Sequence, residues 1–390
     1  MRHSSKITAL AISSIAFLLC APPAIGETTN AVFASQNPAG SNSVASFVQN
    51  PRTGRLSFVG EYATGGTGDT SIQANQSHAL ASNGRHLFVT NAGDDSISVF
   101  TIKRGGKLSL KRTYQSAGIN PVSLAVKGDR LLVVNQGSGE SFGGNIRVFQ
   151  IKRSGSLSRI RSAHFDYLSS DVPVEVIVNS RNNLFSVARS GANSLDFFKL
   201  NNDGTIVRTD TVVGIQDPLG GVMKTSPQTI ALYTLPDEAQ PGVTSIYVSG
   251  EGKALYQHQE VREDLQDPCW AAIHRDQRRL WLSSFKTRAL SLYTISDSGA
   301  MTAVSDYITQ TTGPGSVDIA TDKAGRFLFR LRAFQAPTGS GPVQPYVDTL
   351  KIQDGSSRNA GLALTDESVL PVSWSSSAPT GILAVQVQSD

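Results

Sequence analysis

The stretch SHALASNGRHLFVTNAGDDSISVF, Ser77–Phe100, limits the fold more than any other part of the chain, because variants of it recur along its length. It holds a short apolar run (Ala79–Ala81), a polar turn (Ser82–Arg85), a strand-like run (His86–Thr90), a second turn (Asn91–Asp95) and an alternating run (Ser96–Phe100). Apolar runs and alternation between turn residues are the pattern of short antiparallel strands. Close copies start at Pro121 (PVSLAVKGDRLLVVNQ, then NIRVFQI) and Pro173 (PVEVIVNSRNNLFSVARSGANSLDFFKL). Pro227 opens a looser copy in which an insertion precedes Thr244–Gln259, Pro268–Ile295 returns to form, and Gly315–Leu331 starts the last internal copy. Most copies end in a polar turn and one more alternating run, such as Lys107–Tyr114 or Ser156–Ala163, which adds a fourth strand.

Each unit therefore reads as a four-stranded antiparallel sheet of about 40–65 residues, within the range for propeller blades. Closing such sheets into a ring buries their faces and leaves few open edges. The two ends of the repeat region complete the count. Asn30–Asn37, Ser43–Asn50 and Arg55–Tyr62 read as second, third and fourth strands with no first strand before them, and Pro379–Val387 reads as a first strand with nothing after it. Pairing these pieces gives one blade from both ends. An open solenoid would leave both pieces unpaired. The expected fold is all-β: a seven-bladed β-propeller of four-stranded blades, closed by N- and C-terminal strands.

The first residues have a separate character. Arg2 and Lys6 precede an apolar run, Ile7–Leu19, and Ala24-Ile25-Gly26 is a small-x-small site. This is the pattern of a secretory signal peptide over residues 1–26, leaving 27–390 as a single propeller domain, secreted or periplasmic. The apolar run is too short to anchor the chain in a membrane, and Pro22-Pro23 ends it. Leu19 before Cys20 does not fit a lipoprotein cysteine. Loss of Arg2 and Lys6, with no acid, lowers the formal charge from +4 to +2. That surplus is too small, without a basic run, to argue for nucleic acid or an anionic membrane surface, and neither is expected as a partner. Cys269 is left as a lone cysteine, so no internal disulfide can form.

With its repeats laid out, the chain resembles the seven-bladed propeller lactonases, which include bacterial 6-phosphogluconolactonase and fungal carboxymuconate cyclase. It is also similar to secreted propellers with Tyr-Val-Thr-Asn repeats, through Phe88-Val89-Thr90-Asn91 and Ser96–Phe100. The blade pattern is specific for fold and weak for activity, because propellers host unrelated functions. The resemblance implies a small-molecule ligand at the central channel and an exported lactone hydrolase or lactonising cycloisomerase. A non-catalytic propeller that binds a protein or small-molecule partner is the alternative.

Antiparallel geometry places the start of each first strand and the end of each second strand on one rim, the mouth of the channel. Ser77-His78 shares that rim with Asn91, Asn135 ends the second strand of the Pro121 copy, and Pro173–Glu175 shares the rim with Arg189. Glu175 stands where the neighbouring copy has Ser123. A carboxylate on an innermost strand is costly unless paired or solvated, and Arg189 on the adjoining strand is the expected partner. Two readings fit the pair: Glu175 as general base or acid with Arg189 holding a carboxylate or oxyanion, or a structural ion pair closing the mouth. The family pattern of an inner-strand Glu followed by Asn-Arg-Gly is approached by Glu175 with Ala188-Arg189-Ser190-Gly191. Ala188 departs from it, and the unit comes a blade early. His78 is a proton shuttle or a strand cap, and Asn91 and Asn135 are candidate substrate contacts. His164, His258 and His274 share no spacing, no zinc pattern exists, and no metal or cofactor is expected. Cys269 lacks a nearby histidine in the repeat and reads as a buried small residue.

Overall fold

The computed structural model describes residues 28–71, 79–138, 142–308, 314–335, 344–353, 361–371, 374 and 379–388. The expected signal peptide and His78 lie outside the described residues. The chain forms seven four-stranded antiparallel sheets, numbered here as blades from inner to outer strand. Blade one is Thr380–Gln388, Thr28–Ser35, Ser41–Gln49 and Leu56–Thr67; blade two is Leu80–Ser82, His86–Asn91, Ser96–Ile102 and Leu108–Gln115. Blade three is Pro121–Lys127, Arg130–Asn135, Asn145–Ile151 and Leu157–Asp166; blade four is Pro173–Val178, Leu184–Arg189, Ser194–Leu200 and Ile206–Val213. Blade five is Gly221–Lys224, Thr229–Leu235, Gly242–Val248 and Ala254–Val261; blade six is Pro268–Ile273, Arg279–Ser284, Ala289–Ile295 and Met301–Ile308. Blade seven is Pro314–Thr321, Phe327–Gln335, Tyr346–Ile352 and Leu362–Val369. Each inner strand touches the next, round to Thr380–Gln388 against Leu80–Ser82, so the ring closes.

The strand patterns follow from where each strand stands. Second strands are sandwiched between neighbouring blades on both faces, and His86–Asn91 is buried along its whole length. Such strands read as apolar runs rather than alternations. Fourth strands face solvent, and Leu157–Asp166 and Ala254–Val261 are mostly exposed. Between blades three and four the packing is aromatic: Phe185 stacks on Phe198 at 4.9 Å, and Phe165 meets Phe198 edge-on at 5.2 Å. Closure is made as expected, with Val32 opposite Ala384 and Ala31 opposite Val385 in blade one.

Blade five differs from the sequence expectation. Its inner strand is Gly221–Lys224, so Pro227 lies in the following turn, and the apparent insertion is the second strand, Thr229–Leu235. Gly220 and Gly221 carry no side chains to show a strand pattern, which hid the true start. Among the described residues, no helix is long and apolar enough to cross a membrane.

Candidate functional site at the channel mouth

The innermost strand of a blade is a sheet edge, and its inward N–H groups need partners from elsewhere. Three of the inner strands solve this with a bulge. The pairing register shifts between Pro121 and Ser123, between Pro173 and Glu175, and between Ser316 and Asp318. The side chain just after each shift reaches the inner strand of the next blade. Ser123 Oγ accepts the Val176 N–H at 3.1 Å, Glu175 Oε2 accepts the Gly221 N–H at 2.7 Å, and Asp318 Oδ2 accepts the Ile382 N–H at 2.7 Å. Glu175 thus makes the same bond as the serine it replaces.

Glu175 is fully buried. The strand it holds approaches too closely for side chains: a Cβ on Gly221 would lie 2.5 Å from the Tyr233 ring, and one on Gly220 would lie 2.2 Å from the Cys269 carbonyl. Burial, and then the Glu175 charge, push the Tyr233 hydroxyl well above its ordinary range.

Arg189 emerges from the other face of blade four. Glu175 stands opposite Ala188, and Arg189 stands opposite Pro173, so strand alternation turns the two side chains apart. Arg189 Nη1 binds Asp171 Oδ1 at 2.8 Å, and its Nε lies 3.2 Å from Asp196 Oδ2. The guanidinium also lies 5.6 Å from the centre of the Tyr167 ring. Asp196 is fully buried and accepts the Thr211 hydroxyl at 2.6 Å. These bonds replace the expected Glu175–Arg189 arrangement with two separate ones: a carboxylate that ties blade four to blade five, and a guanidinium that ties it to the segment arriving from blade three.

Asn91 and Asn135 lie at the expected strand ends but are sealed off. Asn91 donates to Ser96 Oγ (3.0 Å) and Ser98 Oγ (2.8 Å) and accepts from Asn42 (3.1 Å), which uses the amide internally. Asn135 donates to Asn145 Oδ1 at 2.8 Å and is fully buried. Gly66 and Gly118 press on the two amides; a Cβ at either would lie 2.5 Å away.

Sequence reasoning missed a group of carboxylates beside blades five and six. Asp217 and Asp267 precede the prolines that lead into these blades, each within a Gln-Asp-Pro triplet, and both have positive φ (41° and 60°). The repeated triplet was the available signal. Asp217 reaches solvent. Partial burial, followed by the charges of Asp237 and Asp267, raises its carboxyl above the ordinary value. Lys286 on the same rim is paired with Glu238. The Cys269 thiol donates to Asp267 Oδ1 at 3.0 Å, and burial pushes it well above the usual thiol range, so it is no nucleophile. Below the mouth, Leu124, Val126, Val178, Val222, Met223 and Leu383 help line an apolar channel cavity of about 300 Å³.

A family model described as "Lactonase, 7-bladed beta-propeller" matches residues 40–178 and 184–325. The chain belongs to this lactonase family. Solved structures agree on the lactonase fold. A candidate 6-phosphogluconolactonase from Bacteroides uniformis is 16% identical, with 92% of this chain and 99% of that one covered at a TM-score of 0.68. The periplasmic gluconolactonase of Pseudomonas aeruginosa is 15% identical, with coverage of 93% and 100% and a TM-score of 0.65. A hypothetical selenium-binding protein from Sulfolobus tokodaii, 9% identical, superposes as well (TM-score 0.66, coverage 94% and 96%), so at this distance the likeness speaks for fold alone. No curated protein matches the chain by sequence.

Proposed function

We propose that this lactonase-family propeller is an exported enzyme that opens or forms an uncharged lactone at the channel mouth. Family membership carries the lactone chemistry. The acidic character of the mouth beside blades five and six, where Asp217, Asp237 and Asp267 gather and Lys286 is already paired, argues against a phosphorylated substrate. The apolar channel below suits the uncharged body of the ligand. Export is supported by the Arg2–Gly26 pattern and by the fold shared with a periplasmic gluconolactonase.

In the hydrolytic direction, water adds to the ester carbonyl, the ring C–O bond breaks, and a hydroxy acid forms. Asp217, with its raised carboxyl, takes the water proton and returns a proton to the leaving oxygen. Glu175 acts as a positioning residue through Gly221, and Arg189, neutralised by Asp171 and Asp196, shapes the rim. His78, outside the described residues, is kept from the sequence as a candidate proton shuttle.

The test is a pH-indicator screen of the mature protein against neutral, acidic and phosphorylated lactones. Neutral lactones should turn over fastest, and Asp217→Asn should lower kcat by about 100-fold or more. If Glu175→Gln removes turnover while the melting temperature stays unchanged, the proton passes to Glu175, as the repeat-breaking charge first implied. A second reading, partner binding without catalysis, draws on Phe142, Leu168 and Val213, which stand 62%, 72% and 73% exposed near the same rim. It takes the lead if no lactone is consumed.

A further inference from the structure

The channel cavity of about 300 Å³ limits what the body of a ligand can be. Inner strands of six blades wall it, from Leu80 in blade two round to Ile273 in blade six and Leu383 in blade one. It begins at the level of the bonds that link neighbouring blades. Val176 and Gly221 both line it, and their N–H groups are already taken by Ser123 and Glu175.

Among the described residues that line it, Ser82 alone carries a polar side chain. That hydroxyl is engaged, since it donates to the His86 carbonyl and accepts the Gly84 N–H, both at 2.9 Å. Apart from Gly221, the other lining residues are Leu, Ile, Val, Ala and Met, with no aromatic ring to stack on. A ligand hydroxyl drawn between such walls gives up water and finds no partner, which costs about tenfold or more in affinity. A methylene there gains about fourfold. Apolar cavities of this kind exclude water and take up apolar guests. Met223, buried and unbranched, can shift to fit one.

We propose that this cavity holds an aliphatic chain and, resting on the lactonase reading of the mouth, that the chain is the substituent of the lactone opened or formed there. The substrate class is then an alkyl lactone. A sugar lactone would carry its hydroxyls into walls with no free polar side chain to receive them.

The test takes the full mature protein through a pH-indicator assay with δ-hexalactone, δ-octalactone, δ-decalactone and glucono-δ-lactone. Along the three alkyl lactones kcat/KM should rise about fourfold per methylene, and glucono-δ-lactone should lie at least about 100-fold below δ-decalactone. Calorimetric titration with 1-butanol and 1-octanol reads the cavity without any turnover, and 1-octanol should bind at least about 50-fold more tightly. Val178→Trp and Val222→Trp fill the cavity from two different blades, both at partly exposed positions. Each should flatten the alkyl series and weaken 1-octanol at least about tenfold, with the melting temperature showing which variants are folded. Turnover that ignores chain length, a preference for glucono-δ-lactone, 1-octanol no tighter than 1-butanol, or folded variants that bind 1-octanol like the parent overturns the proposal and leaves the lactonase reading in place. Tight 1-octanol binding with no lactone consumed supports the chain site and removes the lactonase reading instead.

Discussion

Blades three and four carry nearly the same inner strand, Pro-Val-Ser-Leu-Ala-Val against Pro-Val-Glu-Val-Ile-Val, and differ most at their rim. In blade three the bulge slot holds Ser123 and the second strand ends in Asn135; in blade four these are Glu175 and Arg189. The neutral and charged slots make the same inter-blade bond, to Val176 and Gly221 respectively. The strand ends differ more deeply. Asn135 is closed over by Gly118, whereas Arg189 requires Asp171 and Asp196 to neutralise it. A charge that breaks a repeat can therefore still serve the repeat's architecture.

The strongest way to break this comparison is to remove Asp196. Asp196→Ala leaves Arg189 largely buried with one counter-ion fewer, and denaturant unfolding should show a loss of about 3–5 kcal/mol. A loss below about 1 kcal/mol would mean that the guanidinium is solvated at the rim.

The ring bonds come next. Glu175→Ala should cost about 1–3 kcal/mol by stranding the Gly221 N–H, and Ser123→Ala about 0.5–1.5 kcal/mol by stranding that of Val176. Equal losses measured in the same denaturant series would show that the carboxylate adds nothing to the serine's role.

The smallest effect extends the comparison to blade five. Folding raises the Asp217 carboxyl above its ordinary value of 3.8, so its stability contribution is full below that value and is lost as pH rises through the folded value. Asp217→Asn should melt slightly higher than the parent near neutral pH and at the same temperature near pH 3. A gain that persists in acid would assign the effect to something other than ionisation.

The fold was legible because each blade repeats one strand-and-turn pattern, and because the pieces at the two ends fit together as one more copy. Blade five was misread at its start, since Gly220-Gly221 shows no side-chain pattern and its inner strand is only four residues long. At the rim, antiparallel order placed Arg189, Asn91 and Asn135 correctly along their strands. It could not give their facing. The pairing of Glu175 with Arg189 was inferred from proximity along adjoining strands, but a register shift at Pro173 sets Glu175 opposite Ala188 and sends the two charges to opposite faces. The depth of Asn91 and Asn135 was equally hidden, because the glycines that cover them, Gly66 and Gly118, come from segments between blades. Asp217 and Asp267 were visible as a repeated Gln-Asp-Pro and became notable only once the fold brought their carboxylates near one another.

The pairing of Thr28–Ser35 with Thr380–Gln388 also sets an order of events. Every other blade is assembled from neighbouring sequence and can fold as its strands arrive, but this one must wait for a segment some 350 residues away. Closing a loop of that length costs about 5 kcal/mol in chain entropy, before the constant term. Until that is met, the ring is an open arc with two unsatisfied ends, and at high protein concentration the Thr28–Ser35 edge can accept the last strand of a second molecule in place of its own. Slow closure and concentration-dependent strand exchange are thus built into a molecule whose blades are otherwise local.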